Sequence, residues 1–141
     1  MKQRHLNKNE IHPLRPDPAL ALLRNHSRMY QAIHAMERPL LLLGLPEELL
    51  LELLGQGLQA DICGDSLDRL ESLAKACLDL GLRAKLYWQS LPRLDLPERY
   101  RSILLAPSVY QHLISYQDAQ QIQQQLQQQL EPGGEIGLLL N

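Results

Sequence analysis

The 141-residue chain has no phenylalanine, one tryptophan and five tyrosines, so its interior must be built from aliphatic side chains, and leucine dominates them. It lacks a charge excess. Fourteen basic residues stand against sixteen acidic ones, 14 − 16 = −2, which argues against a nucleic-acid or membrane-surface protein. No apolar run approaches the roughly 20 residues of a membrane span. The polar N-terminus lacks the apolar segment of a signal peptide. Cysteine is nearly absent too: Cys63 and Cys77 stand alone without CxxC spacing, which predicts buried free thiols and a reducing cytoplasm. There is no glycine-rich phosphate loop, no Ser–His–Asp signature and no metal-ligand spacing; His26 and His34 miss the i, i+4 helical pair. One domain is expected from the length.

What is present centres on Arg38–Asp65. Leu40–Leu43 is a short uncharged run suited to a strand buried on both faces. Gly44 ends it. Pro46, Glu47 and Glu48 form a helix's first turn, where proline loses no hydrogen bond and acids suit the positive helix end. Leu49, Leu50, Leu53 and Leu54 supply the apolar stripe, Gly55 and Gly57 the stop, and Ala60–Cys63 the next strand. A strand–helix–strand unit of this length implies a right-handed crossover and a parallel sheet. Ligands in such sheets sit at the strands' C-terminal ends, which places a site at Gly44–Glu48.

The rest follows the same alternation. Met1–Pro18 is polar and broken by Pro13, Pro16 and Pro18, so a flexible arm over residues 1–18 is expected, with the domain at 19–141. Ala19–Glu37 has the spacing of a helix, with Leu20, Leu23, Tyr30, Ile33 and Met36 on one face. Ser66 caps a helix that carries Leu67, Leu70, Leu73, Ala74, Cys77 and Leu78, and Gly81 ends it. Arg83–Trp88 is a third strand with Ala84, Leu86 and Trp88 on one side; Gln89–Arg99 is a loop; Tyr100–Ala106 is a fourth strand, ended by Pro107. Ser115–Asp118 resembles a capping box for a glutamine-rich helix whose stripe is Ala119, Ile122, Leu126 and Leu130. Pro132-Gly133-Gly134 turns into a fifth strand, Glu135–Leu140. Five strands alternating with helices predict a Rossmann-like, doubly wound parallel α/β sheet.

Two late stretches carry a family resemblance. Ile103-Leu104-Leu105-Ala106-Pro107-Ser108-Val109-Tyr110-Gln111-His112-Leu113 resembles the fourth strand and following loop of the class I S-adenosylmethionine-dependent methyltransferases, small-molecule branch. Leu130-Glu131-Pro132-Gly133-Gly134-Glu135-Ile136 resembles their L-x-P-G-G turn into strand five. The resemblance spans about Ala19 to Asn141 and implies strand order 3-2-1-4-5. It also implies a cofactor site at Gly44, Leu45, Asp65, Ser90 and Ala106, and an active-site loop holding Tyr110, Gln111 and His112, with His112 as a proton acceptor.

The cofactor motif departs from the family's pattern. The family's G-x-G-x-G turn is here Gly44-Leu45-Pro46-Glu47-Glu48. Glycine lets backbone approach a ligand closely; proline fills that space and deletes an N–H, and Glu48 adds a charge. The ribose-binding acid falls ungapped on Gly64, with Asp65 one residue late and therefore on the opposite face unless the strand end bulges. Ser90 stands near the place of the adenine-binding acid, and Arg101 replaces the acid entering strand four. The expectation is a methyltransferase-like protein, truncated and with an eroded S-adenosylmethionine pocket. It would be non-catalytic, a structural or regulatory partner that binds no metal. The alternative is a functional small-molecule methyltransferase with a non-standard cofactor motif, and a third reading is a Rossmann-like binder of another nucleotide. The family's last two strands are missing, so strand 135–140 becomes an apolar edge that predicts cover by a second copy or another protein subunit.

Overall fold

A computed structural model of the chain describes residues 2–5, 28–90, 93–114 and 119–139. The strands are β1 Lys2–His5, β2 Leu40–Leu43, β3 Asp61–Gly64, β4 Lys85–Trp88, β5 Tyr100–Leu105 and β6 Leu130–Leu138. They form one parallel sheet in the order β1-β6-β5-β2-β3-β4. Numbered from Leu40–Leu43, the five expected strands stand as 3-2-1-4-5. The helices are α1 (residues 28–34), α2 Glu47–Gly55, α3 Leu67–Leu80, α4 Pro107–Ile114 and α5 Ala119–Gln128.

The four leucines of β2 are all buried because both faces of the central strand are covered. Leu40 and Leu42 join the core of α1, α2 and α3, with Ile33, Met36, Leu50, Leu53, Leu54 and Leu73. Leu41 and Leu43 join the opposite core, with Leu94, Leu96, Tyr100, Leu126 and Leu130. Tyr30 hydroxyl donates to the Glu52 carboxylate, and His34 Nε2 lies 2.7 Å from Gln56 Oε1, which together tie α1 to α2. Burial, then Glu52, pushes the Tyr30 phenol up to about 12.

Several expectations are corrected. Within the supposed arm 1–18, Lys2–His5 is a strand, registered Lys2 to Glu135 through His5 to Leu138. The edge expected to need another subunit is thus paired by the chain itself. Unpaired N–H and C=O groups along an apolar strand favour whatever extended segment can reach them. Pro46 is the N-cap of α2, one residue before the first turn. β3 runs Asp61–Gly64 instead of Ala60–Cys63. Leu78 on α3 is 80% exposed and Trp88 on β4 is 60% exposed, because α3 meets the sheet only through the stripe of Leu70, Leu73 and Cys77. The Ser66 cap does form, its hydroxyl accepting from Arg69 N at 3.3 Å. Among the glutamines near α5, Gln129 is buried, not solvated; its side-chain oxygen accepts from Leu96 N and its carbonyl from Tyr100 N. Leu20, Leu23, His26, the cap at Ser115–Asp118, and Leu140 lie outside the described residues.

Both cysteines are free and buried. Burial pushes the Cys63 thiol up to about 11, against a backbone hydrogen bond from Gln89 that pulls it down; burial also raises Cys77. A raised thiol pKa means that the folded chain holds its proton more tightly than the unfolded one. This contribution is complete below the unfolded value of 9.0 and is lost as pH rises towards 11. At mildly alkaline pH neither thiol is expected to react with Ellman's reagent in the native chain, and both should react in guanidinium. Rapid native labelling would contradict their burial.

Candidate functional site

The register gathers the sequence-predicted residues at one end of the sheet. Leu43 pairs with Cys63 on one side and Leu105 on the other, and Gly64 pairs with Trp88. Gly44, Gly64–Asp65, Gln89–Ser90 and Ala106 therefore leave four adjacent strands at their C-terminal ends. Ala106 N donates to Leu43 O at 3.1 Å and Gln89 N to Gly64 O at 3.0 Å, so neighbouring strand ends are stitched together beyond the ladder. Trp88 Nε1 donates to Asp65 O at 3.1 Å, and the Gln89 amide is held by both Asp95 N and Asp95 O at 2.8 Å. The Asp65 carboxylate is exposed and has no hydrogen-bond partner among the described residues.

At the turn itself, Gly44 has φ +81°, a backbone state that glycine adopts without strain. Its missing side chain is also a packing requirement: a β-carbon there would overlap Val109 Cγ2 of α4. Val109 was visible in the sequence, but its approach to a residue sixty-five positions earlier had no local signal. Leu45 turns inward and is buried in the α1–α3 core, while Pro46, Glu47 and Glu48 are exposed. The helix opens on two acids, and Leu50 N donates to Pro46 O at 3.0 Å. The positive end of the helix dipole, which attracts anions, is thus already answered by Glu47 and Glu48.

Tyr110 and His112 lie on α4, not on a loop. Pro107 starts this helix as well as ending the strand, since its fixed φ suits a first turn. Among the described residues, no group of three or more His, Cys, Asp or Glu side chains could hold a metal ion, and no helix is long and apolar enough to cross a membrane.

No family model and no curated protein matches the chain. Solved structures do. The CcbJ methyltransferase from Streptomyces caelestis is 26% identical with a TM-score of 0.60, over 75% of this chain and 47% of its own. Coclaurine N-methyltransferase, solved with N-methylheliamine and S-adenosylhomocysteine, is 13% identical with a TM-score of 0.67, over 96% and 41%. The glycopeptide N-methyltransferase MtfA, complexed with S-adenosylmethionine, is 18% identical with a TM-score of 0.62, over 80% and 48%. The fold is that of the class I S-adenosylmethionine-dependent methyltransferases. The chain spans less than half of these three relatives' own lengths. In this chain Gly44, Asp65 and Ala106 follow the C-terminal ends of the adjacent strands β2, β3 and β5.

Proposed function

We propose that this methyltransferase-like chain has lost effective S-adenosylmethionine binding, is non-catalytic, and serves as a structural or regulatory partner in a reducing cytoplasm. The observation that carries the reading is the turn at Gly44–Glu48. Its one glycine is occupied by packing against Val109, its second and third glycine positions hold Pro46 and Glu48, and the helix end beyond is already neutralised by acids. An amino-acid carboxylate approaching this helix end meets the acidic side chains of Glu47 and Glu48, which already answer the helix dipole. The lost N–H at Pro46 removes a donor as well. The interaction role is supported by the large apolar side chains left exposed on α3 and on β4, one of the sheet's two edge strands: Leu78, Leu80 and Trp88.

A second reading, a working methyltransferase with an altered cofactor grip, is favoured by the unpartnered Asp65 carboxylate beside the same strand ends. In that reading Asp65 takes the ribose hydroxyls, and Tyr110 or His112 serves the methyl acceptor. Thermal denaturation with S-adenosylmethionine and S-adenosylhomocysteine separates the two. A real site at a hundredfold excess over its dissociation constant stabilises the fold by about 2.7 kcal/mol. The eroded site is expected to give no shift at millimolar ligand. A clear shift at micromolar ligand would establish the second reading.

A further inference from the structure

The opposite end of the sheet carries a different feature. Where the chain enters β2, β3 and β5, a recess of about 410 Å³ opens, lined by Arg38, Gln59, Asp61 and Glu98 together with Pro39, Leu40 and Ala60. That volume falls within the range of small-molecule sites. It lies at the N-terminal ends of the strands, so nothing about it depends on whether the turn at Gly44 binds a nucleoside.

Its acidic wall is held in place from below. Asp61 opens β3, and its Oδ2 accepts a hydrogen bond of 2.7 Å from the hydroxyl of Tyr100, a residue with no exposed surface. Burial, then Asp61, holds that phenol far above the ordinary tyrosine range, so it stays protonated and keeps donating. The carboxylate is thereby fixed in orientation, and its second oxygen, Oδ1, has no hydrogen-bond partner among the described residues. Glu98 is committed to Lys85, 2.7 Å away. The other wall is cationic. Arg38 is exposed and has neither a hydrogen bond nor an ion pair among the described residues, and Gln59 is likewise unengaged. A recess holding one pinned carboxylate and one unanswered guanidinium favours a ligand that bears both signs.

We propose that this recess binds a small zwitterion of the amino-acid type, its carboxylate on the Arg38 guanidinium and its ammonium on Asp61. Tyr100 is then a positioning residue, holding Asp61 toward the ligand. The guanidinium fork suits a carboxylate, and charge-assisted hydrogen bonds on both sides give selectivity for a molecule with both groups. Because the recess is open to water, the binding is weak.

Titration of the ¹⁵N-labelled chain tests this with three probes: L-alanine, propionate, which lacks the ammonium, and ethylammonium, which lacks the carboxylate. L-Alanine is expected to move the amide signals of Gln59, Ala60 and Asp61 saturably, with a Kd on the order of 1 mM, and each half-ligand to bind at least about tenfold more weakly. Arg38→Ala and Asp61→Asn should each weaken L-alanine by about tenfold. The new carboxamide oxygen can still accept from Tyr100, so a merely structural Asp61 would leave the L-alanine titration unchanged. Should Asp61→Asn fail to fold, the exposed Arg38→Ala variant decides alone. No saturable shift with L-alanine overturns the proposal. Propionate binding as tightly as L-alanine overturns it in favour of a simple anion site, and ethylammonium doing so in favour of a cation site.

Discussion

Gly44→Ala is expected to destabilise the fold by about 3 kcal/mol, combining ~1–2 kcal/mol for a left-handed non-glycine residue with ~1–3 kcal/mol for overlap in a packed interior. The backbone at φ +81° accounts for the first part, and Val109 Cγ2 in the place of the new β-carbon for the second. For a domain of this size the melting temperature should fall by on the order of 10 °C. The two parts separate in a double-mutant cycle. Val109→Ala removes the clashing methyl, so Gly44→Ala made in that background should cost roughly half as much as in the wild type. An unchanged cost would mean that only backbone strain keeps glycine at this turn, and that Val109 is not what fills the space above it. The result bears on function because a glycine held for packing needs no ligand to explain it.

The second large effect is expected in β2. Leu41→Ala and Leu42→Ala should each cost roughly 3 kcal/mol or more, the range of fully buried leucine truncations that leave a cavity. Both side chains are at most 1% exposed, yet they belong to opposite cores. Their consequences should therefore differ in place. Leu42→Ala should speed amide hydrogen exchange in α2, around Leu50–Leu54, and Leu41→Ala should speed it in α5, around Leu126, in denaturation-matched samples. The same exchange pattern from both variants would contradict a two-faced central strand.

Much of this arrangement is legible along the chain, for a physical reason. β2 and β5 sit between covered faces, so the uncharged runs Leu40–Leu43 and Ile103–Leu105 announce themselves, and proline or glycine marks their ends. β1 is not legible in that way. Lys2–His5 has no apolar run, and only an edge with one neighbour tolerates such a segment, through backbone bonds that any sequence supplies. Helix α3 looked broader in its apolar face than it is, because helical spacing cannot say how far a helix leans over the sheet; Leu78 faces water. At the candidate site, the strand ends and the altered glycine motif were readable. The contacts that give them meaning were not. Val109 meets Gly44, Trp88 reaches the Asp65 carbonyl and Tyr100 holds Asp61, all across long sequence separations that leave no periodic trace.

The most direct probe of the site is a titration of the ¹⁵N-labelled chain with S-adenosylhomocysteine, following the amides of Gly44, Leu45, Asp65 and Ala106. An eroded site predicts no saturable movement of these four signals at millimolar ligand. Saturable movement at micromolar ligand, with contacts from the ribose protons to Asp65 and from adenosine to Leu45–Glu47, would contradict it.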